Sequence, residues 1–161
     1  MDRFMMIILK ADFGLFTISG LALMIMMGVT LVDVIMRSLG KPIVGSVELI
    51  SFFGAFAVGL AIPYTSWTKG HILVDFAMEK LSPKSKAVLQ SITRFVGIAL
   101  FLLAGYNFIL FGLDMMKSNQ VSGAFKLPLY PVAFGLSLSC FLQSATLLCD
   151  FFKIIKGGEH E

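Results

Sequence analysis

Four stretches of this chain contain no Asp, Glu, Lys or Arg: Phe13–Val32, Leu49–Thr68, Phe95–Leu113 and Leu127–Cys149, of 20, 20, 19 and 23 residues. A helix needs about 20 apolar residues to cross a hydrocarbon core of about 30 Å. In lipid the backbone has no water to bond, so each stretch is predicted to be helical. A closed β-barrel needs shorter, alternating segments, and none is present. The fold class expected is therefore all-α, an integral membrane protein with four transmembrane helices. The chain is read as one four-span membrane domain over residues 1–161, with spans at about 13–36, 48–68, 87–116 and 129–152.

Composition excludes the competing classes. Hydrophobic residues make up 57% and charged residues 14%, against about 25% charged in globular domains. A soluble domain needs more surface charge than this, and disorder needs low hydrophobicity. Cys140 and Cys149 lie nine residues apart in one apolar run. That is about 13–14 Å of helical rise, too far for a disulfide between them. Both are read as small hydrophobes. The net charge is +3, but the basic residues are dispersed between apolar runs, so no nucleic-acid partner is expected.

The first stretch is longer than a signal-peptide core of about 7–15 residues, and no small-residue cleavage pattern follows it. It is read as a retained span. Lys and Arg in the connections give the orientation. The two tails and the second loop hold nine of them, and the first and third loops hold four. The N- and C-termini are therefore expected to be cytoplasmic.

The second loop has its own pattern. His71, Asp75, Glu79 and Ser82 recur on one helical face, with Ile72, Leu73, Phe76 and Leu81 largely on the other. This predicts a short amphipathic helix at about 70–82, lying in the cytoplasmic interface. Ser82-Pro83 reads as the N-cap and first residue of the third helix. Pro63 is expected to kink the second helix. Ser51, Ala55 and Gly59 fall at intervals of four, the small-xxx-small spacing of close helix contact.

A chain that transports alone needs a polar or charged site at membrane depth. The strongest polar groups in the four stretches are Asn107 and Gln143, which are expected at different depths and are read as interhelical hydrogen-bonding residues. No catalytic motif, phosphate loop or acidic metal cluster is present in the sequence, so no catalytic, cofactor or metal residue is assigned. The charges sit at helix ends. Asp33 and Arg37 form an i,i+4 pair in the favourable order. Glu48 opens the second helix, where an acid suits the dipole. A sharper expectation is that Arg37, Lys41 and Glu48 form part of an outward docking surface.

Taken in order, Asp33 to Pro42 (DVIMRSLGKP), Ser46-Val47-Glu48-Leu49 and Gly70-His71-Ile72-Leu73-Val74-Asp75 resemble the small membrane subunit of tripartite ATP-independent periplasmic (TRAP) transporters, the DctQ-like family. Leu127-Pro128-Leu129-Tyr130-Pro131 is similar to the turn leading that family's fourth span. One departure is the absence of a Trp shortly before Glu48, where this chain has Ile43-Val44-Gly45-Ser46. The resemblance implies a non-catalytic subunit in a bacterial inner membrane. Its partners would be the lipid bilayer, a large membrane subunit of about twelve spans and a periplasmic substrate-binding protein. The large subunit would carry an organic acid and sodium. The small one would brace it, with help in docking the binding protein as a further role. His71 and Asp75 would secure the interfacial helix. Two alternatives stand beside this: a self-sufficient small transporter working as a homo-oligomer, and a membrane enzyme or redox protein.

Overall fold

The computed structural model describes residues 2–68 and 83–155, with four helices. They are α1 (Asp2–Ser38), α2 (Ser46–Trp67), α3 (Pro83–Lys117) and α4 (Tyr130–Ile155). All four are long and apolar enough to cross a membrane. Among the described residues there is no strand, only an isolated bridge between Val121 and Pro128. The helix expected at about 70–82, with His71 and Asp75, lies outside the described residues.

Connectivity and packing differ. α1 packs on α2, α2 on α4 and α4 on α3, with a lighter α1–α4 contact. α1 and α3 thus take opposite flanks, and α4 lies inside. In the most apolar window of α4, 39% of residues are buried, against 11% for α1. The chemistry of α4 explains its place. Lipid tails are as apolar as Leu, so close approach and hydrogen bonds drive helix association in a membrane. The Ser137 hydroxyl donates to the Gly105 carbonyl on α3 at 2.9 Å, and that of Ser139 donates to the Gly59 carbonyl on α2 at 2.5 Å. At Gly59 the fit with Leu136 is so close that an added Cβ would lie 2.0 Å from a Leu136 methyl. Gly112 on α3 similarly admits the Phe134 ring. Pro63 lies within α2 and is fully buried.

α1 has one covered face. Apart from Ala11, its residues that escape the exposed class from position 5 onward are Met5, Ile8, Asp12, Leu15, Ser19, Ala22, Met26, Val29, Asp33 and Met36. The steps alternate three and four, a heptad seam with a period of 3.5. A sustained seam of this kind suits a left-handed crossing of about 20°. Two acids, Asp12 and Asp33, lie on it three heptads apart. At 1.5 Å per residue that separation is about 32 Å, close to the thickness of the hydrocarbon core.

Candidate functional site

The polar chemistry of the four helices is concentrated at their two ends. One end carries the loops 39–45 and 118–129 and is called here the loop end. There Glu48, in the first turn of α2, reaches the α3–α4 loop. It accepts hydrogen bonds from the Ser122 hydroxyl at 2.5 Å and from the Ala124 and Phe125 amides at 2.9 and 3.4 Å. The loop is built to present those amides. The Ser122 amide bonds the Leu127 carbonyl at 2.9 Å, the Lys126 amide bonds the Ser122 carbonyl at 3.1 Å, and Lys126 turns through φ +51°. The tip amides between them face Glu48. Close approach is made possible by Gly45, the left-handed N-cap of α2 at φ +84°. A Cβ there would lie 2.6 Å from both the Ala124 methyl and the Phe125 ring.

Asp33 does the same for the first loop. It is 5% exposed, takes the Arg37 guanidinium at 2.7 Å and accepts the Ile43 amide at 3.2 Å. Each carboxylate therefore fixes a loop to a helix end, and carboxylates bonded by backbone N–H groups make strong, charge-assisted bonds.

At the opposite, terminal end the bonds run between side chains of different helices. Asp12 of α1 is fully buried. One of its oxygens accepts from Trp67 Nε1 at 2.5 Å and from the Thr146 hydroxyl at 2.7 Å. The Gln143 amide donates to the Ser66 hydroxyl at 2.6 Å. Arg94 of α3 pairs with Asp150 of α4. The layer joins all four helices. Asp12 Oδ1, Gln143 Oε1 and the Ser144 hydroxyl are buried there without a hydrogen-bond partner. Among the described residues no group of three His, Cys, Asp or Glu could hold a metal ion.

The arrangement ties loops and helices into one unit. Residues 26–157 match the family described as "Tripartite ATP-independent periplasmic transporters, DctQ component". The chain belongs to this family. It is a component of TRAP transporters, and its four apolar helices make it a multi-pass membrane protein. The chain is also 38% identical over 69 residues to the replicase polyprotein 1ab of Breda virus 1. That stretch covers 41% of this chain but 1% of the polyprotein's length, and it carries no functional argument. No solved structure matches.

The residues singled out from sequence fall into separate places. Asp33 and Glu48 are engaged within the chain, as described above. Arg37, Lys41 and Pro42 are exposed beside them at the loop end. Pro128 is exposed and closes the bridge to Val121. Of the small stripe, Gly59 is buried against Leu136, while Ser51 is exposed and Ala55 half-buried. Gln143 is interhelical, whereas Asn107 is exposed and donates to the Leu103 carbonyl of its own helix at 2.8 Å.

Sequence reading missed Asp12, Arg94 and Asp150. Each lies one residue outside a charge-free stretch, so a rule built on uncharged runs discards it. A signal was nonetheless present. Asp12 stands three heptads before Asp33, and Arg94 and Asp150 are opposite charges at matching ends of consecutive antiparallel helices.

Proposed function

We propose that this chain is the non-transporting small membrane subunit of a TRAP system for sodium-driven uptake of an organic acid, and that it braces the large transport subunit in a bacterial inner membrane. Its termini would be cytoplasmic, in line with the nine-to-four distribution of basic residues. The reading rests on membership of the TRAP small-component family.

One observation carries the bracing role. α1 lies on a flank, and among the described residues the face opposite its covered seam is exposed from Ile7 to Ile35. Ile7, Gly14, Leu21, Gly28 and Ile35 repeat there every seven residues, interleaved with Lys10, Thr17, Met24 and Leu31, and all are exposed. Gly14 and Gly28 meet nothing within 4 Å. A second heptad face with small residues is suited to a further transmembrane helix. α1 would then be gripped on two sides, by α2 within the chain and by the large subunit outside it.

A second surface follows from the loop end. Arg37, Lys41 and Pro42 are exposed on the segment whose Ile43 amide Asp33 accepts, and they would form a platform for the binding protein. His71 and Asp75 would secure the interfacial segment against the large subunit or the lipid headgroups.

Co-expression with the large subunit tests the reading. The two chains should co-purify, and Gly28→Leu with Leu21→Trp should cut recovery of the large chain while leaving the helical circular dichroism of this one intact. Transport reconstituted with this chain alone would overturn the proposal.

A further inference from the structure

Two of the unpartnered oxygens at the terminal end belong to one ring of contacts. Asp12 of α1 is 0% exposed and Gln143 of α4 is 2% exposed. On the α2 side they are held by neighbours in sequence: Trp67 donates to Asp12, and the Ser66 hydroxyl accepts from Gln143. On the α4 side they are one helical turn apart, because Asp12 accepts from Thr146, three residues after Gln143. Both bonds to Asp12 end on Oδ2, and the bond from Gln143 uses its Nε2. Asp12 Oδ1 and Gln143 Oε1 are what the ring leaves over. Ser144 is also unpartnered, but it stands one heptad after Ser137, which bonds α3, and so belongs to the α3 side of α4.

Both leftover atoms are acceptors, and neither can satisfy the other while the carboxyl is ionised. An ionised carboxylate only accepts, whereas a protonated one carries an O–H donor. One hydrogen would therefore satisfy both oxygens. Charge points the same way, since a buried carboxylate without a counter-ion neutralises instead. The charged and titratable groups around Asp12 supply no counter-ion. On α1, Lys10 is exposed, two residues away. On α2, Tyr64 packs its ring on Phe13 and Phe16. On α4, Asp150 pairs with Arg94 of α3, and Cys149 is a buried thiol. Among the described residues no salt bridge reaches Asp12.

We propose that Asp12 and Gln143 form a proton-binding site inside the bundle, with the Asp12 carboxyl neutral, its proton on Oδ1 and donated to Gln143 Oε1. Oδ2 keeps Trp67 and Thr146. The proton is taken from water, as an O–H bond formed on the carboxylate, when α1, α2 and α4 close around it. Both leftover oxygens then have a partner, and the ring carries no charge. Loss of the proton restores two unmatched acceptors and a negative charge between three helices, so the packing of α1 on α2 and α4 is tied to pH. The inference concerns this chain alone and does not depend on the bracing reading.

The test uses the full chain in mixed micelles, with aspartate labelled with carbon-13 at its side-chain carboxyl. At neutral pH the infrared spectrum should show a carboxylic-acid C=O band that moves with the label and is missing from Asp12→Asn. Gln143→Leu, which removes the acceptor of the proton, should move that band to another frequency. The chain has a single Trp, so Trp67 emission follows the same group. Raising the pH should change it in wild type and not in Asp12→Asn. Stability gives the sign. An unfolded Asp ionises at about pH 3.9, so above about pH 5 the unfolded chain binds one proton fewer than the folded one. Wild type should lose stability as pH rises until the folded carboxyl ionises. Relative to Asp12→Asn, its unfolding equilibrium constant should rise about tenfold per pH unit over that range. Equal pH slopes in the two proteins would overturn the proposal, as would a band that Gln143→Leu leaves unmoved. A wild-type spectrum at neutral pH without a labelled carboxylic-acid band would overturn it too, and that measurement needs no variant to fold.

Discussion

At the loop end, carboxylates bond backbone amides; at the terminal end, side chains bond side chains. Asp33 and Glu48 each hold a loop whose amides have no helical partner, next to water and beside exposed Arg37, Lys41 and Lys126. Asp12, Trp67, Thr146, Ser66 and Gln143 link three helices, and three buried oxygens there are left unbonded. The difference teaches where specificity is stored in a bundle whose core is mostly interchangeable hydrocarbon. Loop carboxylates decide how the chain turns back, and the buried polar layer decides which helix faces meet.

The sharpest test of that division is Asp12. Replacing it with Ala removes the bonds from Trp67 Nε1 and from the Thr146 hydroxyl, which keeps the Leu142 carbonyl of its own helix at 3.0 Å. Interhelical hydrogen bonds in membranes average about 0.6 kcal/mol and reach about 1.7 kcal/mol. Two such bonds are lost, so Asp12→Ala should destabilise the bundle by about 1–2 kcal/mol. Asp12→Asn keeps a carbonyl that can accept from both donors and should recover most of the loss. Denaturant unfolding in mixed micelles reads both. If Ala and Asn behave alike, the hydrogen bonds are not what holds this end.

Glu48 breaks the comparison from the other side. Glu48→Ala should free the tip of the α3–α4 loop while leaving helix packing intact. The readout is amide hydrogen exchange. Ala124 and Phe125 should exchange on the order of tenfold faster, with α1–α2 amides unchanged. Gly45→Val should release the same loop by another route, because a side chain at φ +84° is strained and also collides with Ala124. Slower or unchanged exchange at the loop tip in both variants would refute the clamp.

Arg94 and Asp150 are a smaller effect at the terminal end. Their side chains are 27% and 17% exposed, so the pair is partly solvated. Arg94→Ala should cost about 1 kcal/mol, with the loss shrinking at high salt. The exchange Arg94→Asp with Asp150→Arg should restore most of it. Failure of the double variant to exceed the singles would mean that the two residues act through packing alone.

The four helices were legible because lipid leaves the backbone a single solution, and uncharged runs of the right length reveal it. Pro83 as the start of α3 was legible too, from its missing N–H. The loop carboxylates were half legible: Asp33 and Glu48 stood out by position, but their targets depend on loops folded back across 10 and 76 residues. Asp12 escaped for a physical reason. Hydropathy asks how many charges a window holds, whereas burial depends on which side of the helix they occupy. The 3.5-residue seam of α1, which places Asp12 in register with Asp33, carries that information, and a run-length rule averages it away.

The smallest expected effect belongs to Arg37 and separates stability from assembly. Its carboxylate partner Asp33 is buried, but the Arg37 side chain is 63% exposed, and Asp33 keeps the Ile43 amide when the guanidinium is gone. Exposed ion pairs contribute little to folding. Arg37→Ala should therefore leave the unfolding midpoint within the scatter of the measurement, whereas Asp33→Ala, which also frees the first loop, should lower it measurably. The same two variants should rank in reverse when uptake is measured with the binding protein present at limiting concentration. There the exposed cation would matter for docking, and Arg37→Glu should slow uptake more than Arg37→Ala does. Uptake indifferent to both Arg37 substitutions would confine this residue to its local pair and remove it from the docking surface.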